Sequence, residues 1–170
     1  MKKALFLDRD GVINKEINYL YKKEDFVFID GIFDLVRHYK DLDYYVIIVT
    51  NQSGIARKYY TEKDFNTLTI WMKKEFLKEN VEIDAVYFCP HHPDISGACR
   101  CRKPNPGMLF SAAEDYDIDL EHSIMVGDKE RDIEAGLNAG LSETYLFDAA
   151  QTPQSSKASK IVATLEEIWK

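Results

Sequence analysis

Short, largely apolar runs alternate along this chain with longer stretches of helical spacing, and that alternation narrows the possible folds more than any other feature. The runs cover residues 4–7, 45–49, 85–88, 123–126 and 144–147. Their apolar residues follow one another without polar interruption, which predicts strands buried on both faces. Between the first two, Ile32, Leu35, Val36 and Tyr39 mark one face of a helix over 32–42. Thr61 reads as the N-cap of a second helix, with Asp64 three residues on in a capping-box position. Phe65, Leu68, Trp71, Met72, Phe76 and Leu77 continue that helix's apolar stripe. Residues 106–116 and 131–139 supply two more helices, the latter stopped by Gly140, and 164–169 a last short one. Residues 151–159 read as a polar loop. Strand and helix in turn predict an α/β fold: a parallel Rossmann-like sheet between helical layers, α/β/α. Ligands of such sheets bind at the carboxyl ends of the strands.

The 170 residues suit one domain, 1–170, with a core that needs no disulfides. A net charge of −7 argues against a nucleic-acid or membrane-surface binder. The start, Met-Lys-Lys-Ala-Leu-Phe-Leu-Asp8, has an apolar run too short for a signal peptide, and no stretch approaches a membrane span. Three cysteines without a secretory signal do not suggest a disulfide scaffold. The expectation is a cytoplasmic monomer.

Each strand end offers a different chemical part. The first carries Asp8 and Asp10 around Arg9, with Gly11 permitting a tight turn. The second carries Thr50 and Asn51, the third leads to Arg102 and Lys103, and the fourth ends in a further carboxylate pair, Asp128 and Asp132, with Lys129 between them. Singly, each reads as turn or cap chemistry. Together, in this order, they suit phosphoryl transfer. One of the paired carboxylates is placed to attack phosphorus and the other to handle the leaving-group proton. A carboxylate approaching a phosphate dianion needs a hard cation, and Asp8 with Asp128 can hold Mg²⁺. Thr50, Asn51 and Lys103 can hold the phosphoryl oxygens.

All the sulfur of the cysteines gathers after the third strand. Cys89, His91, Cys99 and Cys101 supply four soft-to-borderline donors across residues 89–101, a set that fits a closed tetrahedral Zn²⁺ site. Buried cysteines or a reactive thiol are the simpler alternatives. With every position filled by protein, such a site is structural, and it would stiffen the loop that delivers Arg102 and Lys103.

Five stretches carry a resemblance. Phe6-Leu-Asp-Arg-Asp-Gly-Val12, Val49-Thr-Asn-Gln-Ser-Gly-Ile-Ala-Arg57, Cys89-Pro-His-His-Pro93, Cys101-Arg-Lys-Pro-Asn-Pro-Gly-Met108 and Met125-Val-Gly-Asp-Lys-Glu-Arg-Asp132 are similar to the haloacid-dehalogenase-like (HAD) phosphatases, in their histidinol-phosphate phosphatase-like subfamily. The resemblance implies a HAD-like fold and an aspartyl-phosphate on Asp8, with Asp10 as general acid and then base. It implies Mg²⁺ ligation by Asp8, the Asp10 carbonyl and Asp128, and phosphoryl contacts from Thr50 and Lys103. Asn51, Arg57, Arg102 and Lys129 would lie around the substrate. The subfamily's Cys-x-His…Cys-x-Cys arrangement implies His91, rather than His92, as the zinc ligand.

The implied substrate is a small phosphorylated sugar, a heptose 1,7-bisphosphate losing its C7 phosphate. Histidinol phosphate is the alternative within the subfamily, and a zinc-stabilised binding module without turnover the alternative outside it. Residues 14–30 are too few for a folded cap, so a capless, open site is expected. Where the family typically has Ala-Arg-Gly, this chain reads Ala56-Arg57-Lys58.

Overall fold

The computed structural model describes residues 1–152 and 154–170; the polar loop read over 151–159 includes residue 153, which lies outside the described residues. Six strands form one parallel sheet in the order β3-β2-β1-β4-β5-β6. They are β1 (Ala4–Leu7), β2 (Tyr45–Asn51), β3 (Ala85–Cys89), β4 (Ile124–Gly127), β5 (Glu143–Phe147) and β6 (Lys160–Val162). The helices are α1 (Ile32–Asp41), α2 (Glu62–Lys78), α3 (Pro93–Ser96), α4 (Gly107–Tyr116) and α5 (Glu130–Asn138).

The side-chain period of two divides the core. Leu5 and Leu7 of β1, with Val46, Ile48 and Val126, face one cluster that includes Leu35 and Tyr39 of α1 and Met72 and Phe76 of α2. Ala4 and Phe6, with Ile47, Val49 and Met125, face the other, with Leu109 and Ala112 of α4 and Ala135 of α5. The three layers expected from the alternation are therefore present. The chain leaves β1 toward β2 on one side and later returns to β4 on the other, so the switch point lies between the carboxyl ends of β1 and β4.

The capping box at Thr61 forms as read: its Oγ1 accepts from Asp64 N at 3.1 Å, and Asp64 Oδ2 accepts from Thr61 N at 2.8 Å. Three readings need correction. Leu77 is 56% exposed and outside the stripe. The strand β6 falls between the polar loop and the last turn, where its three residues are too short to show periodicity. The last turn, Leu165–Ile168, is a 3₁₀ helix. Between β1 and α1 lies one 3₁₀ turn, Lys23–Asp25, and no folded cap among the described residues. No helix is long and apolar enough to cross a membrane.

Candidate active site

Adjacent pairing sets the site. Leu7 is level with Ile48 on one side and Val126 on the other, so Asp8, Thr50 and Asp128 emerge together at the sheet's carboxyl edge. Asp8 N donates to Val126 O at 3.0 Å, which ties the turn after β1 to β4. Gly11 makes the turn with φ +89°, and a Cβ there would come within 2.1 Å of Asp128 Oδ2. A side chain at position 11 would therefore displace that carboxylate.

Lys103 is the hub. Its ammonium, 2% exposed, donates to Asp8 Oδ1 at 2.8 Å and Val49 O at 2.7 Å, and it pairs with Asp132 Oδ1 at 2.8 Å. Asn51 clamps the main chain of the same residue: its Oδ1 accepts from Lys103 N at 3.0 Å, and its Nδ2 donates to Lys103 O at 3.2 Å. Burial works against the ammonium's charge, but the facing Asp132 and Asp8 outweigh it and push its pKa up. Burial, reinforced by Asp132, holds the Asp8 carboxyl well above the usual carboxylate range despite Lys103. Burial and Asp132 likewise push Asp128 up to about 6.

Ligand oxygens of Asp8, Asp128 and Asp132 lie within 4.8 Å of one another. Three carboxylates against one buried ammonium leave an excess of two negative charges when all are ionised. Hard oxygen donors with that excess fit a divalent cation such as Mg²⁺. Lys129 lies 3.4 Å from both Asp128 Oδ2 and Glu16 Oε2, at the edge of this cluster.

Asp10 stands beside the cluster, half-buried, and its two oxygens are used differently. Oδ1 accepts from Arg9 Nη2 at 2.9 Å and Asn14 Nδ2 at 3.1 Å, while Oδ2 accepts from Gln52 Nε2 at 3.1 Å. Gln52 Nε2 also donates to Thr50 Oγ1 at 2.9 Å. Asp8, Asp10, Asn51, Arg57, Arg102, Lys103 and Asp128 all line one cleft of about 240 Å³. Thr50 is fully buried behind Gln52. On the far wall, Arg57 Nη2 is 3.0 Å from His92 Nε2, and Arg102 Nη1 lies 3.4 Å from His91 O.

The cysteine cluster sits behind Arg102 and Lys103. Donor atoms of Cys89, His91, Cys99 and Cys101 are within 4.8 Å of one another. Cys99 Sγ is 3.6 Å from the Sγ of both Cys89 and Cys101, and His91 Nδ1 is 3.5 Å from Cys89 and 3.2 Å from Cys101. A tetrahedral zinc site with Zn–S of about 2.3 Å has S–S edges of about 3.8 Å. The spacing thus fits Zn²⁺, and it is far longer than a disulfide bond. His92 turns away, its Nδ1 accepting from Asp94 N at 3.2 Å.

Asp132, read from the sequence as the second carboxylate of a pair with Asp128, is present as expected and in addition faces Lys103. Two neighbours were not singled out from sequence. Arg9 and Gln52 carried no readable signal, because an arginine between two aspartates and a glutamine in a turn ordinarily face water. Here Arg9 is 1% exposed, with Nη2 donating to Leu20 O at 3.1 Å, and Gln52 is 2% exposed.

A HAD-hydrolase-like family model matches residues 100–166. The D-glycero-alpha-D-manno-heptose-1,7-bisphosphate 7-phosphatase of Burkholderia mallei is 48% identical, across 98% of this chain and 91% of that protein. The D-glycero-beta-D-manno-heptose-1,7-bisphosphate 7-phosphatase of Helicobacter pylori is 49% identical, across 90% and 88%. Among solved structures, the D,D-heptose 1,7-bisphosphate phosphatase of B. bronchiseptica, complexed with magnesium and phosphate, matches with a TM-score of 0.84 and 30% identity. That match spans 98% of this chain and 95% of that one.

Proposed function

This chain belongs to the HAD-like phosphatases, among the D-glycero-D-manno-heptose-1,7-bisphosphate 7-phosphatases, and on that premise we propose that it hydrolyses the C7 phosphate of that sugar through an aspartyl-phosphate on Asp8. What carries the assignment of residues is the convergence of Asp8, Asp10, Lys103 and Asp128 on one cleft at the switch point.

A carboxylate oxygen of Asp8 forms a bond to phosphorus as the bond between phosphorus and the sugar's O7 breaks. Asp10 gives its proton to that departing oxygen. Its Oδ1 is occupied by the cationic Arg9 and by Asn14, so the proton sits on Oδ2, held in place from one side by Gln52. Asp10, now ionised, takes a proton from water. The water oxygen bonds to phosphorus and the Asp8–phosphorus bond breaks, releasing inorganic phosphate and restoring both carboxyls. Lys103 meets the growing negative charge on the phosphoryl oxygens without having to move. Mg²⁺ held by Asp8, Asp128 and the Asp10 carbonyl would offset the repulsion between carboxylate and phosphate. Arg57, Arg102 and Lys129 are read as the contacts to the rest of the substrate. Thr50, expected to touch the phosphoryl oxygens, is buried off the cleft and is read instead as support for the pocket. Asn51, on the cleft, is read as the clamp of Lys103. The Cys89, His91, Cys99 and Cys101 set is read as a structural zinc site.

Phosphate release from both anomers of the heptose bisphosphate and from histidinol phosphate, with and without Mg²⁺, tests this directly. The heptose substrate should be preferred by a wide margin and only with Mg²⁺. Comparable turnover of histidinol phosphate would overturn the substrate assignment. Relatives named for the alpha and the beta anomer are 48% and 49% identical, so the anomer is decided by the kinetics.

A further inference from the structure

Resting on the reading of Asp10 as general acid, we propose that Tyr60 is a positioning residue for the reaction: its hydroxyl locks the Gln52 amide, and the locked amide holds Asp10 in line with the departing oxygen.

The amide of Gln52 is buried and used at both ends. Nε2 donates to Asp10 Oδ2 and Thr50 Oγ1, while Oε1 accepts from the Tyr60 hydroxyl. When Asp10 is ionised, as it is before it takes the proton from water, a half-turn of the amide would set Oε1 against its Oδ2, oxygen against oxygen. It would also aim the amino group at the phenol. Among the described residues the phenol is the one hydrogen-bond partner at the far end, so it resists that half-turn from the wall of the cleft opposite Asp10's side of the amide. Burial pushes Tyr60 up to about 12, so the hydroxyl keeps the proton that it donates.

The ring itself is fixed. It stacks on Tyr21 with centroids 5.5 Å apart and planes 12° apart. It also presses on Gly54, where a Cβ would come within 2.2 Å of Tyr60 Cε1. Gly54 thus leaves the room in which the phenol reaches Gln52. The order of contact is Gly54 and Tyr21 to Tyr60, Tyr60 to Gln52, and Gln52 to Asp10. Tyr60 acts through Gln52, two hydrogen bonds away from the reacting atoms.

A general acid matters most when the leaving oxygen is a poor leaving group. The heptose bisphosphate expels an alkoxide-like oxygen, whereas p-nitrophenyl phosphate expels a stable phenolate. Tyr60→Phe should therefore lower kcat for the heptose substrate about tenfold, a share of the ~10²–10⁴-fold that general acid catalysis contributes. KM should stay unchanged, and kcat for p-nitrophenyl phosphate should stay within about twofold. In a Gln52→Ala background the Tyr60→Phe change should add nothing further, because the link is already cut. Gly54→Ala, which displaces the ring, should give the same selective loss. An equal loss on both substrates, no loss on either, or a full tenfold loss in the Gln52→Ala background overturns the role of Tyr60. Asp10→Asn calibrates the series. If it shows no dependence on the leaving group, the general-acid reading of Asp10 falls, and the role of Tyr60 falls with it.

Discussion

Two clusters of ionisable side chains flank Lys103, and they are held in opposite ways. The carboxylate cluster is fixed by the sheet: Asp8 and Asp128 sit one residue past adjacent parallel strands, and Asp132 caps a helix by accepting from Lys129 N at 3.1 Å. The cysteine cluster is fixed by the sheet at one residue alone. Cys89 ends β3, but Cys99 and Cys101 lie in the loop between the four-residue α3 and α4, held by contacts such as Asn105 Nδ2 to Cys99 O at 2.8 Å. Ion pairs and backbone pairing order the first without a metal. The second gathers four donor atoms around a common centre, which on the zinc reading a metal would hold. Removing a metal should silence one cluster and loosen the other.

The largest effect is expected where the chemistry itself is removed. Asp8→Asn should lower phosphate release by ~10³-fold or more while leaving the melting temperature unchanged or raised, since a buried carboxylate with an unfavourable charge is lost. Retained turnover in that variant would break the covalent mechanism.

Lys103→Met should be next, and it should show as instability. Asp8 and Asp132 would be left facing each other without their shared cation, a change that costs about 3–5 kcal/mol for a buried pair. Mg²⁺ should recover part of that loss in a thermal melt. No gain with Mg²⁺ would argue that the carboxylates do not hold the cation.

Cys101→Ser should act on the other cluster. Metal analysis should find zinc lost, the melting temperature should fall, and activity should drop by ~10–100-fold through Lys103 and Arg102 rather than through the chemistry. Wild-type protein purified without zinc would sink the ligand assignment.

A smaller effect concerns pH. The folded-state pKa of Asp128 is raised to about 6, above an ordinary carboxylate near 4, so this group costs stability as pH rises from about 4 to 6. Mg²⁺ competes with that proton. Its stabilisation in a thermal melt should therefore be larger at pH 7 than at pH 5, and a pH-independent gain would exclude Asp128 as its ligand. The smallest effect is at Lys58, where the family typically has glycine. Its φ of +61° is left-handed, so Lys58→Gly should stabilise by about 0.5–1 kcal/mol with the fold unchanged.

The same contrast explains how much the sequence disclosed. Five strands were legible because each is an unbroken apolar run, and the strand-end residues followed from the topology. The four zinc-type donors were legible because they cluster in sequence as well as in space. Asp132 was quoted within its motif, but its pairing with Lys103 joins residues far apart in the chain, and no local pattern encodes it. Gln52 and Tyr60 were missed because a turn glutamine and an aromatic before a helix have ordinary local explanations. Their burial arises only when Gly54 lets the ring in. The strand β6 escaped because two of its three residues are exposed, which leaves no buried pattern to read.

The double grip on Lys103 has one more consequence. Asn51 holds its peptide at the root, and the carbonyl of Val49 holds its tip, so the same strand grasps the side chain at both ends. A free lysine surrenders about 1.5–2 kcal/mol of rotamer freedom when it is immobilised. Here that cost falls during folding, before any substrate arrives. On the proposed mechanism, an incoming phosphoryl group would meet a stretched strut with its charge already in position, and turnover would not have to reorder it each time.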